Sequence, residues 1–411
     1  MLPFSDSKQA VQTCLLSTRW KHLWKHIPTL KLNSWRFSTK KLFATFMSKI
    51  LTLRDSSTPL HALDLERDGI IEPKLLKMIL NYLCHALTSL KLVHPKKGYD
   101  YTETLLPKSL NFPSLTNLYL ADFTFYGGES GCAEPFTAFT KLNSLDIRFC
   151  NIKDARILNI SNETLVDLTM VNISSNFAKI ELYLPPSLCT FTFNGIPILK
   201  ICGNGFSYVK HVDINAQIDR NSVEHALVLL SWLQDLANVE SLIVTSTALQ
   251  ILSLVPDLLE VKLRSLCNLK SVKIRLKEGA KSLKEAAKLR KAIEPGLTPH
   301  PIPDGIVDFL RQNSPSAEVN ITGCFHLKQV LDFVNGSKNT SYNSHFAAPA
   351  SVAALASASE FASAAAPASA APPNLQLCPT EEGDASSNEN KVEIPQVLNL
   401  TPTLMLLYKL Q

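Results

Sequence analysis

One spacing constrains this chain more than any other feature. A Leu-x-x-Leu-x-Leu pattern runs through Leu60, Leu63, Leu65, then Leu87, Leu90, Leu92, then Leu115, Leu118, Leu120, then Leu142, Leu145 and Ile147. Looser copies follow at Leu165, Leu168, Met170; Leu188, Phe191, Phe193; Val209, Val212, Ile214; Val239, Leu242, Val244; and Leu269, Val272, Ile274. The middle residue advances from 63 to 272 in eight steps, a mean interval of about 26. Nine copies at so regular an interval predict a solenoid, in which each unit contacts only its neighbours.

Each trio ends in an x-apolar-x-apolar-x alternation. A strand sends successive side chains to opposite faces, so the two apolar residues share one face and their neighbours the other. One such strand cannot bury its apolar face alone, whereas a stack of parallel strands in register can. The period falls in the leucine-rich-repeat range. The expected fold is therefore an α/β leucine-rich-repeat solenoid, with a parallel sheet on the concave face and helices and loops on the convex face. We assign it to residues 58–335, in about nine or ten units, preceded by a short α-helical segment. A helical return is predicted over 72–86 and an irregular one over Phe123 to Phe139. An amphipathic helix is predicted over 278–293, stopped by Pro295, and an atypical last strand around Val319 and Ile321. The outward sheet residues include Asp64, Lys91, Tyr119, Asp146, Arg148, Asp167, His211 and Asp213. This mixed-charge surface is the expected contact for a protein substrate, since solenoids bind on that face.

The first 54 residues are a different object. They carry ten Lys or Arg against one acid, Asp6, or +9, which leaves −4 for the remainder of a chain whose total is +5. They also hold Trp20, Trp24 and Trp35, three of the four tryptophans. Too short for a core of its own, such a segment must dock on the repeats, on a partner, or on both. Ala10, Val11, Thr13, Leu16, Ser17, Arg19, Trp20, Leu23, Trp24 and Pro28 follow one another as in the second half of a plant-type F-box, so the chain resembles the plant F-box/leucine-rich-repeat family. The resemblance implies a partial F-box over 1–31 and a helical connector over 32–57. It implies a substrate-recognition subunit of a Skp-cullin-F-box ubiquitin ligase. Val11, Leu15, Leu16, Trp20, Leu23 and Trp24 would then meet a Skp-type adaptor joined to a cullin scaffold. Leu2-Pro3 stands where the family's first helix ends, so the F-box is expected to be truncated at its N-terminal side and adaptor binding weakened. Two alternatives stay open: Trp20 and Trp24 serve only to cap the first repeat, or the chain is a stand-alone repeat scaffold without ligase coupling.

Other classes are poorly served. His211 and Asp213 share a strand face, but no nucleophile is tied to them, and Cys202 to Gly205 lacks the Lys-Ser/Thr of a phosphate loop. The nine cysteines contain no Cys-x-x-Cys pair. No enzyme activity, cofactor or metal is expected. An odd cysteine count without a secretory signal predicts a reducing compartment, nucleus or cytoplasm. No stretch is long enough for a membrane span. Nucleic acid is a weaker partner, because the positive charge is local to the N-terminal segment and the 278–293 region. Residues 346–411 open on an Ala/Ser/Pro-rich run and continue acidic, which predicts a disordered tail.

Overall fold

Alternating apolar residues become a core only when neighbouring strands keep the same register, because a slip of one residue turns every side chain to the other face. The computed structural model describes residues 7–55, 57–67, 86–94, 103–106, 112–217, 222–276 and 302–322. All of them belong to the unit that includes Met1–Val330. Eleven strands form one parallel sheet in chain order. They are β1 (Thr29–Asn33), β2 (Ala62–Glu66), β3 (Ser89–Val93), β5 (Asn117–Ala121), β8 (Ser144–Arg148), β11 (Asp167–Val171), β14 (Thr190–Gly195), β16 (His211–Ala216), β17 (Ser241–Thr245), β18 (Ser271–Arg275) and β19 (Glu318–Thr322).

The register is unbroken. Leu30, Leu63, Leu90, Leu118, Leu145, Leu168, Phe191, Val212, Leu242, Val272 and Val319 form one cross-strand ladder. The residue two further on in each strand forms a second ladder, from Leu32 to Ile321. Through β18 both ladders are buried almost completely. Just before each strand from β2 to β18, one carbonyl of the preceding unit accepts two successive N–H groups of the next. His61 O receives Thr88 and Ser89, Thr116 O receives Asn143 and Ser144, and Lys210 O receives Glu240 and Ser241. The hydroxyls of Thr88, Thr116, Thr164 and Ser187 donate to carbonyls one unit back as well.

Two smaller parallel sheets line the returns. One joins β4 (Thr104–Leu105), β6 (Phe123–Tyr126), β9 (Asn151–Lys153) and β12 (Ser174–Ser175). The other joins β7 (Cys132–Ala133), β10 (Ile157–Asn159), β13 (Ile180–Tyr183) and β15 (Leu199–Cys202). The return over Phe123 to Phe139 is thus partly ordered as strand, contrary to the irregular stretch expected. Runs of two to four residues carry too little alternation to be read from sequence, and only the stacking of successive units supplies their hydrogen bonds. Later returns are helical. Ser222–Asp235 sends the fourth tryptophan, Trp232, edge-on against Phe191, Phe193 and Phe206, with its ring N–H donating to Leu199 O at 2.8 Å.

The N-terminal boundary differs most from expectation. The expected boundary at residues 31 and 32 puts Thr29–Asn33 at the join of two helical segments, yet it is β1, the first strand of the sheet. Ile27, Leu30 and Leu32 repeat the trio, but the 33-residue step to Leu63 exceeds the period, and Pro28 reads as a helix stop. The connector does hold a helix, Lys40–Leu53, capped by the Thr39 hydroxyl, with Phe43, Phe46, Met47, Ile50 and Leu51 buried. The last strand, expected near Val319 and Ile321, is β19, paired with β18. The helices predicted over 72–86 and 278–293, and the tail 346–411, lie outside the described residues.

Leu145→Ala, in the middle of a fully buried ladder, is expected to destabilise the chain by about 2–5 kcal/mol. Thr169→Ala on the outward face of the adjoining strand should stay within about 0.5 kcal/mol. Urea unfolding of both variants checks the difference.

Candidate interaction surfaces

The N-terminal segment is built as a short helix, Ser7–Gln12, followed by three single 3-10 turns, Thr13–Leu15, Thr18–Trp20 and Leu23–His26. It is fastened to the sheet at its start: the Lys31 N–H of β1 donates to the Ser7 hydroxyl at 2.9 Å. Arg54 closes the other side by donating to the Ile27 and Thr58 carbonyls. This attachment divides the six residues that the F-box resemblance singled out. Val11 and Trp24 are buried, with Trp24 only 3 % exposed. Leu15 and Trp20 are half-buried. Leu16 and Leu23 are 73 % and 58 % exposed. Water-facing leucines at that level, beside exposed Arg19 and His22, are free to meet another surface; Val11 and Trp24 already have theirs.

The second surface is the outward face of the main sheet, and its residues are less independent than the sequence suggested. Asp64, Lys91, Tyr119 and Asp146 occupy the same position in four consecutive strands. Lys91 lies 3.4 Å from the Asp64 carboxylate and 5.4 Å from the centre of the Tyr119 ring. Arg148 stands over the same ring at 5.3 Å and grips Asp146 with two hydrogen bonds of 2.8 Å. Tyr119 is thus in contact with two cations, each already paired with a carboxylate. Burial pushes its phenol above the ordinary value, against the pull of Arg148. The hydrogen-bonded Asp146 raises Arg148 further.

Beyond this cluster the face turns neutral, with Thr169 and Thr192 in the same row. Asp213 follows, two strands before Arg275, and the two form an ion pair across β17. Burial raises the Asp213 carboxyl, and Arg275 opposes the shift. Arg275 is therefore turned back along the face toward Asp213 rather than left to meet a ligand alone. Asp167 and His211 lie in another row of the same face, both opposite Thr190 of β14.

Two features escaped sequence reasoning. Gln217 donates to Asn172 at 3.0 Å and Asn194 at 3.3 Å, an amide cluster at the strand ends. Phe149, half exposed, has φ +53, a conformation costly for a bulky residue. It stands where Asp122 and Asn172 turn the chain after their own strands. Aligning the repeats at that position would have singled it out.

Among the described residues no cluster of three His, Cys, Asp or Glu is arranged to hold a metal ion. The buried Cys150 thiol is pushed up to about 12 by desolvation, far from nucleophilic at neutral pH. No described helix is long and apolar enough to cross a membrane.

A long parallel sheet of successive strands in register, with a charged and hydroxyl-rich outward face, is consistent with a leucine-rich-repeat type of fold. No known family model and no solved structure matches the chain. Two proteins of Arabidopsis thaliana resemble it. An F-box/FBD/LRR-repeat protein is 26 % identical over 195 residues, 41 % of this chain and 44 % of its own length. F-box/LRR-repeat protein 13 is 24 % identical over 190 residues, 40 % of this chain and 42 % of its own length. The chain thus aligns with less than half the length of either relative. These likenesses support an F-box/LRR-repeat family for it.

Edge charges outside the sheet face set an acid dependence. Lys270, hydrogen-bonded to Glu240 at 2.6 Å, holds that carboxyl below its usual value, with Lys210 and His211 adding to the effect. A depressed carboxyl contributes stability above its unfolded pKa and loses it as pH falls through the folded one. Lys270→Ala should therefore flatten part of the stability loss in mild acid, which thermal unfolding between neutral pH and pH ~3 would read.

Proposed function

We propose that this chain is a non-catalytic substrate-recognition subunit of a Skp-cullin-F-box type ubiquitin ligase. In this reading the N-terminal tip meets a Skp-type adaptor that joins it to a cullin, inside the cell, and a protein substrate lies along the outward face of the repeat solenoid. The observation that carries the reading is the division of the tip: Leu16 and Leu23 face water on a segment whose Val11 and Trp24 are buried. A segment fastened on one side and apolar on the other suits a docking element. Its surplus of Lys and Arg favours encounter with an acidic partner. The likeness to two F-box/LRR-repeat proteins adds support. On the sheet face, Tyr119 and Arg148 are the residue types that dominate binding energy at protein interfaces. Their ion pairs and ring contacts hold them in place before a partner arrives.

A second reading, a stand-alone repeat scaffold without ligase coupling, is favoured by one fact. Trp24, one of the two tryptophans among the segment's matched residues, is spent inside the structure. The two readings separate in a pull-down with a Skp-type adaptor. Leu16→Asp with Leu23→Asp should abolish capture and leave the unfolding midpoint within about 0.5 kcal/mol of the parent, since neither side chain is buried. Trp24→Ala should instead cost about 3–5 kcal/mol. An unsubstituted chain that captures no adaptor favours the scaffold.

A further inference from the structure

Phe149 is held against its own preference. It follows β8 in the left-handed region, at φ +53, and is 51 % exposed. Asp122 and Asn172 make the same turn after β5 and β11, at φ +69 and +49. Aspartate and asparagine enter that region at little cost, whereas a bulky aromatic residue meets steric crowding there. With half of Phe149 in water, packing offsets little of that crowding. An outlier of this kind points to a contact role.

The residues beside it carry hydrogen-bonding groups that the fold leaves unused. The Phe149 N–H donates to Val171 O at 2.7 Å, which sets Phe149 alongside Asn172. Gly195 stands one strand further on, where a Cβ would lie 3.2 Å from the Asn172 backbone. No side chain intervenes, and Gln217 reaches across to donate to the Asn172 and Asn194 carboxamide oxygens. The NH2 groups of Asn172 and Asn194 and the Oε1 of Gln217 have no hydrogen-bond partner among the described residues. Asn215, opposite Asn194 in register, has its Oδ1 shielded from water and also without a partner among them.

We infer that Phe149 and the carboxamides of Asn172, Asn194 and Gln217 hold an extended, uncharged peptide segment of the protein substrate. An apolar side chain of that segment packs on Phe149, and its backbone lies against the carboxamides. A carboxamide presents a donor and an acceptor side by side, which matches the N–H and C=O of a peptide group. The four residues belong to four consecutive strands, about 14 Å end to end, the reach of about four extended residues. None of the four is ionisable, and the neighbouring Arg148 is already paired with Asp146, so the row suits a segment without charge. The inference rests on the reading that the outward side of the repeats holds a protein substrate, and it names the kind of segment held.

Panning a displayed library of short random peptides on the full chain supplies the probe. A recovered peptide, synthesised with a fluorophore, is then titrated by anisotropy. The recovered peptides should share an apolar residue in an uncharged stretch. Phe149→Asn should weaken binding about tenfold or more. Its thermal midpoint should stay at or above that of the parent, because asparagine relieves the turn. Gln217→Ala should weaken binding about three- to tenfold. Phe149→Tyr should keep the parent affinity. A peptide whose binding is lost in Tyr119→Ala and Arg148→Ala but unchanged in Phe149→Asn overturns the assignment while leaving the substrate reading intact. Recovery of no peptide, or a Phe149→Asn midpoint below that of the parent, overturns it as well. Adaptor capture by the N-terminal tip is a separate readout and bears on the ligase reading alone.

Discussion

The register of the two apolar ladders is the constraint on which everything else rests. Each strand is about five residues long and has no stability by itself. It becomes part of a core because its two apolar residues meet the same two positions on both neighbours, ten times over, without a slip. The shared carbonyl before each strand from β2 to β18 enforces this. It accepts two N–H groups of the next unit and so fixes where that strand begins relative to the last. The returns differ widely, from paired short strands to a helix of fourteen residues, because they need only reach the next such anchor.

That regularity also sets how the outward face works. Side chains one strand apart in a parallel sheet stand about 4.8 Å from each other. Unlike charges in one row therefore find partners within the sheet before any ligand arrives. Asp64 with Lys91 is such a pair; Asp146 with Arg148 along one strand and Asp213 with Arg275 across β17 close further pairs over the same face. Pairing removes net field from the surface but leaves the guanidinium and phenol in defined places. The face therefore offers shape and hydrogen bonding more than bulk charge. The strong net charge of this protein sits instead in the N-terminal segment, where few acids neutralise it.

The N-terminal segment illustrates a compromise of small elements. Too short to hold a core, it borrows one from the sheet edge and in return covers that edge. Helix Ser7–Gln12 is committed to this task, and Trp24 is buried within the segment's own packing. What the packing leaves facing water is Leu16 and Leu23 foremost. Motif matching cannot make that distinction, since it weighs Trp24 and Leu23 alike.

The sequence by itself determined the parallel sheet of stacked units, the two residues per strand that build its core, and which side chains face outward. All three follow from local period, which is a property of a few residues at a time. It did not reveal β1, because a 33-residue interval and Pro28 masked Ile27, Leu30 and Leu32. Nor did it reveal the two flanking sheets, whose strands are too short to carry a pattern. Only the tertiary structure decided which N-terminal residues are buried, that Arg275 reaches Asp213 across an intervening strand, and that Phe149 is held exposed in a left-handed turn. These depend on distances between units remote in sequence, and burial and charge pairing are set by such distances rather than by spacing along the chain.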